Sequence, residues 1–113
     1  MKLRVLLLSL LLAVCVAACG KPVPAEKAAY VGEWQRPDMY LLITANGSVK
    51  YKRLEAGATV SVDGPLQKFE GNDFSVGLGP MNTRFHVDKP PQQGKDGAWR
   101  MTVDGAELTR TAQ

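Results

Sequence analysis

Few side chains in this chain are of a type and spacing that could do chemistry. His86 is the single histidine of the 113 residues, and it sits between Arg84 and Asp88 at spacing two. On an extended strand that spacing puts all three on one face, where they could orient a phosphate or relay a proton. Phe85 and Val87 alternate with them, so the row reads first as the polar, solvent-facing side of a strand. The two cysteines, Cys15 and Cys19, both lie near the N-terminus. Zinc sites of the His or Cys type, thiol nucleophiles and redox pairs therefore have no ligand set elsewhere in the chain. Asp63, Asp73, Asp88, Asp96 and Asp104 are scattered, and most stand beside Gly, Asn or Pro, the ordinary place of Asp in turns. No run of alternating Asp and Asn suits calcium. The stretch Gly77-Leu78-Gly79-Pro80 lacks the helix and the Lys-Ser or Lys-Thr of a phosphate loop. No catalytic residue, metal ligand or cofactor is assigned, and the chain is expected not to be an enzyme.

Cys19 has a different fate. Lys2 and Arg4 are followed by an apolar stretch, and the run closes on Val16-Ala17-Ala18-Cys19. A charged start, an apolar centre and small residues before a cleavage point make an export signal. From Val5 to Ala18 there are only 14 residues before Gly20-Lys21-Pro22, fewer than the roughly 20 that a membrane-spanning helix needs. The four residues ending at Cys19 resemble the lipobox of bacterial lipoproteins. That resemblance implies removal of residues 1–18, a diacylglyceryl group on the Cys19 sulphur and, usually, an amide-linked palmitate or similar chain. Stable attachment takes more than one chain, and the resemblance supplies them. Gly20 rather than Asp after the cysteine resembles the pattern that sorts enterobacterial lipoproteins to the outer membrane. The expected location is the cell envelope, lipid-anchored at the outer membrane and facing the periplasm.

Loss of the signal changes the charge. Lys2 and Arg4 leave with it, so 14 − 2 = 12 Lys and Arg remain against 11 Asp and Glu, a balance of +1. The basic character of the whole chain belongs to the signal. Lys50, Lys52 and Arg53 are the only clustered cations and are interleaved on a strand, so nucleic acid is excluded as a partner. The mature chain keeps 113 − 18 = 95 residues, enough for one core, with no disulfide to staple it.

The elements that must position these residues are strands. Residues 19–29, with Pro22 and Pro24, read as a lipidated N-terminus and flexible tether. From residue 30 to 113, short β-branched and aromatic runs recur every eight to twelve residues between Gly, Pro, Asn and Asp, the spacing of an all-β domain. Candidate strands cover 30–35, 39–44, 48–54, 58–62, 66–69, 74–78, 83–88, 98–103 and 106–111. The expected fold is one small antiparallel meander barrel or sandwich of about seven to nine strands.

Register decides which face is apolar. A two-residue Asn46-Gly47 turn would place Ile43 opposite Lys50 and mix the faces. A three-residue Ala45-Asn46-Gly47 turn with Gly47 left-handed pairs Ile43 with Val49 and Leu41 with Tyr51. The bulged turn is therefore expected. At the end of the chain an Asp104-Gly105 turn pairs Val103 with Ala106 and Met101 with Leu108, and sets Trp99 against Arg110. Phe69 and Phe74 should meet across the Gly71-Asn72 turn. Residues 89–97, with Pro90-Pro91, read as the longest loop and a possible binding surface.

Gly32-Glu33-Trp34 is similar to the short G-x-W signature of lipocalins and related small barrels. In that group an Arg near the end of the last strand packs across the Trp and closes the barrel. Arg110 stands where that partner would be, with Trp99 as a competing stacking partner. Trp34, Trp99, Arg110 and His86 are thus the candidate binding residues beside the lipidation site Cys19. The expected function is a non-enzymatic binding or interaction module of the cell envelope, held to the membrane through its lipid. Two alternatives are carriage of a small apolar ligand in a lipocalin-like barrel, and inhibition or structural support of another envelope protein.

Overall fold

The computed structural model describes residues 20–112; Cys19 and residues 1–18, expected as an export signal, lie outside the described residues. A 3-10 helix, Ala25–Tyr30, precedes nine strands: β1 Gly32–Arg36, β2 Met39–Ile43, β3 Ser48–Glu55, β4 Ala58–Glu70, β5 Asp73–Leu78, β6 Met81–Phe85, β7 Val87–Gln93, β8 Trp99–Val103 and β9 Ala106–Ala112. They form one antiparallel sheet in the order β6-β5-β4-β3-β2-β1-β9-β8-β7, curled into a half-barrel. Every neighbour in that order is a hairpin except β1 with β9, which joins the two ends of the chain.

The expected registers hold. Ile43 pairs with Val49 and Leu41 with Tyr51, and Gly47 has φ +89° in a turn closed by the Gly47 N–H donating to the Thr44 carbonyl at 3.1 Å. Asp104 and Gly105 both have positive φ, as a two-residue hairpin turn requires. Val103 faces Ala106, Met101 faces Leu108, and Phe69 faces Phe74.

Four stretches differ from expectation, each for a physical reason. Residues 58–62 and 66–69 belong to one strand, β4, which pairs with β3 through residue 65 and with β5 from Leu66 onward. The Leu66 N–H donates to the Gly47 carbonyl at 2.7 Å, so by alternation the position of Pro65 turns its nitrogen toward the other side, where the β5 ladder has ended. A proline without an N–H costs no ladder bond there. Residues 83–88 are two strands broken at His86. Phe85 and Val87 are both buried, so the apolar alternation runs unbroken through the corner, yet Phe85 pairs with Phe74 and Val87 with Val103 on opposite edges of the sheet. Residues 89–93, read as loop, are the body of β7. Pro90 and Pro91 lie on this edge strand where its pairing with β8 shifts register between Lys89 and Gln92.

Residues 20–29, expected as a flexible tether, lie on the barrel, and Tyr30, expected to open the first strand, instead ends the 3-10 helix. The Lys21 N–H donates to the Leu66 carbonyl at 3.3 Å and the Val23 N–H to the Ala45 carbonyl at 3.0 Å. The 3-10 helix then brings Tyr30 into the core.

That core holds 16 buried apolar residues contributed by all nine strands and the 3-10 helix. A line of rings runs through it: Tyr51 to Phe85 at 4.9 Å between centroids, Phe85 to Phe74 at 5.1 Å, Phe74 to Phe69 at 6.0 Å, and Phe69 to Tyr30 at 5.1 Å. Edge-on and offset packing of this kind adds roughly 0.5 to 1.5 kcal/mol per pair beyond burial.

Candidate functional site

Three of the sequence candidates meet at one place. Trp34 on β1 is fully buried and donates its indole N–H to the Tyr30 carbonyl at 2.9 Å. Arg110 on β9 pairs with Trp34 across the β1–β9 ladder. Its guanidinium carbon is 5.7 Å from the Trp34 ring centroid and 4.8 Å from that of Trp99. Arg110 therefore touches both indoles, with Trp99 the nearer. Its Nη1 also donates to the Ala29 carbonyl at 3.4 Å. Gly32 makes room for this stack. It has φ +141°, and a Cβ built there would lie 2.8 Å from Arg110 Cδ and 2.7 Å from the Ala112 carbonyl oxygen. The glycine of Gly-x-Trp thus serves backbone conformation and close approach together. The stack ties the segment before β1 to the first, eighth and ninth strands, and its polar atoms bond to the protein itself.

His86 stands apart, at the corner between β6 and β7. Its Nδ1 lies 3.1 Å from Asp73 Oδ1 and 3.3 Å from Asp73 Oδ2, and its Nε2 lies 3.3 Å from Asp88 Oδ1. Asp73 also accepts the Val87 N–H at 2.8 Å and an Arg84 N–H at 3.0 Å. Arg84 reaches Glu70 at 3.1 Å as well. Asp104 accepts the His86 N–H at 3.1 Å, and Asp88 accepts the Gly105 N–H at 2.8 Å. The row Arg84, His86, Asp88 is real, but its organiser is Asp73 from β5.

The electrostatics follow from these bonds. The Val87 N–H, then His86 and Arg84, hold the Asp73 carboxyl down at about 2. The hydrogen bond and charge of Asp73, with the charge of Asp88, push the His86 imidazole up. A carboxylate with its oxygens committed to three donors is a weak base, and the two carboxylates beside the imidazole favour its protonated form. This cluster is a clasp. It fastens the β5–β6 hairpin to the start of β7, where the two edges of the sheet approach. Among the described residues, no group of three or more His, Cys, Asp or Glu is placed to hold a metal ion.

A groove of about 410 Å³ lies on the outer face of β4, β5 and β6. Its polar groups answer one another: the Ser75 hydroxyl donates to Gln67 Oε1 at 3.3 Å, while Gln67 Nε2 and Asn82 Nδ2 each donate to the Gly79 carbonyl at 2.9 Å. At the hairpin between β7 and β8, Arg100 grips Asp96 through two bonds of 2.6 and 3.1 Å, holding its carboxyl at about 2. That turn is braced.

Sequence reading brought Trp34, Trp99 and Arg110 together and placed His86 on a polar face. It missed Asp73, which looked like one more turn aspartate. No local signal marks it, because its partner Val87 lies 14 residues further along the chain. Cys19 lies outside the described residues. No family model, curated protein or solved structure matches this chain.

Proposed function

We propose that this chain is a bacterial cell-envelope lipoprotein whose small barrel serves as a non-enzymatic binding or interaction module. The single observation that carries the reading is the run Val16-Ala17-Ala18-Cys19 at the end of an export signal, with folded structure starting as early as Lys21. An anchor directly before a stable domain suits a protein that works at a membrane surface. The sorting pattern at Gly20 favours the outer membrane with the domain in the periplasm. Surface recognition is favoured over carriage of an apolar ligand because Trp34, Leu41, Phe74, Phe85, Met101 and Leu108 occupy the interior together. The edges of β6 and β7 are the natural places for an envelope protein to add a strand.

Mass spectrometry of the protein purified from membranes of an expressing bacterium tests the anchor. A first residue at position 19 carrying a diacylglyceryl thioether is the expected result; an intact precursor or an unmodified thiol ends the proposal. Crosslinking from a photoreactive group at Lys89 on β7 tests the interaction half. One defined envelope protein is expected, and diffuse labelling together with a bound apolar molecule in native mass spectra would transfer the function to carriage.

A further inference from the structure

We infer that the barrel does not swing on a tether but lies directly on the lipid bilayer, with the β5–β6 hairpin tip inserted in the headgroup region beside the anchor. The inference rests on the lipoprotein reading above.

The first observation is how the chain leaves the barrel. Gly20 sits against β4 and the β2–β3 turn: a Cβ built on it would lie 2.6 Å from the Gly47 carbonyl oxygen and 2.8 Å from Pro65 Cβ. From the other side, a Cβ on Gly47 would collide with the Lys21 carbonyl. Two facing glycines thus let the arm seat flush, and the bonds from Lys21 to Leu66 and from Val23 to Ala45 hold it there. Consecutive Cα atoms are about 3.8 Å apart, so acyl chains on Cys19 start within one residue of the barrel wall. Ten extended residues would have allowed a stand-off of about 30 Å. Docking of the arm removes that reach.

The second observation is independent of the arm. Leu78 and Met81, paired across the β5–β6 hairpin, are 69% and 80% exposed, the most exposed large apolar side chains among the described residues. They flank Gly79-Pro80, a tip with neither charge nor core contact to explain two bare apolar residues. The tip lies next to the point of departure. Gln67 holds the Gly79 carbonyl at 2.9 Å, and its chain neighbour Leu66 accepts the Lys21 N–H. Gly20, the first described residue, is packed between Pro65 on β4 and Gly47 in the β2–β3 turn. Lys21 shares the outer groove with Gly79 and Asn82, which places a cation at the level of lipid phosphates. Apolar tips beside a lipid anchor supply a second attachment and fix orientation.

The occupant of this surface is the bilayer interface. The test uses the lipidated full-length protein with Met81→Cys, labelled with a nitroxide and reconstituted in vesicles of phosphatidylethanolamine and phosphatidylglycerol. A lipidated Cys19 has no free thiol, so the label goes to position 81 alone. The comparison is Glu55→Cys at the β3–β4 tip, eight strand residues or roughly 26 Å along β3 from the arm. Oxygen should relax the label at 81 several-fold more effectively than a water-soluble nickel reagent, with the ratio reversed at 55. Equal access of the nickel reagent at both sites overturns the docking while leaving the anchor intact, as does protection at 55 instead of 81, where exposed Leu54 offers the rival apolar tip. A Cys19 found without acyl chains by mass spectrometry overturns the anchor and the docking together.

Discussion

Asp73, the first residue of β5, accepts the backbone N–H of Val87, the first residue of β7, at 2.8 Å, although the two strands are not paired in the sheet. A side chain here does the work of a ladder bond. It holds the two edges of the curled sheet together at the one residue, His86, by which the chain passes from one edge to the other.

The clasp makes stability depend on pH in two windows. The Asp73 carboxyl is depressed in the folded state, to about 2 from an ordinary 3.8, so its contribution is complete above the unfolded value and is lost as pH falls from about 4 through about 2. His86 is raised above its ordinary 6.5, so its contribution is present below that value and is lost as pH climbs past its raised folded pKa. The thermal midpoint should therefore be highest near pH 5 to 6 and decline on both sides. Asp73→Asn should make the acid limb shallower, with the part due to Asp96 remaining, and should weaken the upper limb because Asp73 is what raises His86. His86→Ala should flatten the upper limb. Thermal scans from pH 2 to 9 read both, and an unchanged acid limb in Asp73→Asn would remove Asp73 from the clasp.

Gly47 and Gly57 give a matched pair for the seated arm. Both have left-handed φ, +89° and +80°, but a Cβ on Gly57 meets open space whereas one on Gly47 meets the Lys21 carbonyl. Gly57→Ala should cost only the backbone term, about 1 kcal/mol. Gly47→Ala should cost at least about 1 kcal/mol more through the collision. It should also open residues 20–24 to proteolysis and leave the rest of the domain resistant. Denaturant titration and limited proteolysis measure the two effects, and equal losses in both variants would show that the arm contributes nothing to stability.

Local rules carried the hairpins. Asn46-Gly47 and Asp104-Gly105 name their turns, and the demand that Ile43, Val49, Leu41 and Tyr51 share a face selects the bulged turn over the shorter one. What escaped depends on distant parts of the chain. Pro65 and Pro90-Pro91 read as breaks because a proline cannot donate to a ladder, and only the sheet pairing shows that the Pro65 nitrogen turns away from β3 and that Pro90-Pro91 lie on an edge strand at a shift of register. The corner at His86 is invisible in a pattern that keeps Phe85 and Val87 on the same side. Arg110 over Trp34 was expected only from the resemblance of Gly32-Glu33-Trp34 to the G-x-W signature, whereas Trp99 beside Arg110 follows from the Asp104-Gly105 register. Asp73 was not legible, since nothing within 13 residues of it reveals that Val87 will come within reach.

The ring line through the core should be most sensitive at Phe85. Phe85 touches both Tyr51 and Phe74 and is 1% exposed, so Phe85→Ala leaves a void between two strands of the edge hairpin and β3. The expected loss is about 3 to 5 kcal/mol, a large share of the 5 to 15 kcal/mol typical of a whole domain. Phe69, half-buried between Phe74 and Tyr30, should lose less on the same change. Urea titration of the two variants ranks them, and a smaller loss at Phe85 than at Phe69 would move the centre of the core away from β6.

Arg110 should behave as a planar group rather than as a charge. Its guanidinium is within cation–π reach of Trp99 and Trp34, where such contacts contribute roughly 0.5 to 2 kcal/mol. A lysine keeps the charge but cannot stack as a plane or reach the Ala29 carbonyl in the same geometry, so Arg110→Lys should lose most of what Arg110→Ala loses. The partner is identified by a double-mutant cycle with Trp99→Ala. Because Arg110 is nearer Trp99 than Trp34, the pair should couple by about 0.5 kcal/mol or more, and additive losses would assign the contact to Trp34 alone. Tryptophan fluorescence gives a second reading of the same contact. Removal of the guanidinium from a half-buried Trp99 exposes its ring to water, so Arg110→Ala should shift emission to longer wavelength before any unfolding, an effect that loss of Trp99 abolishes.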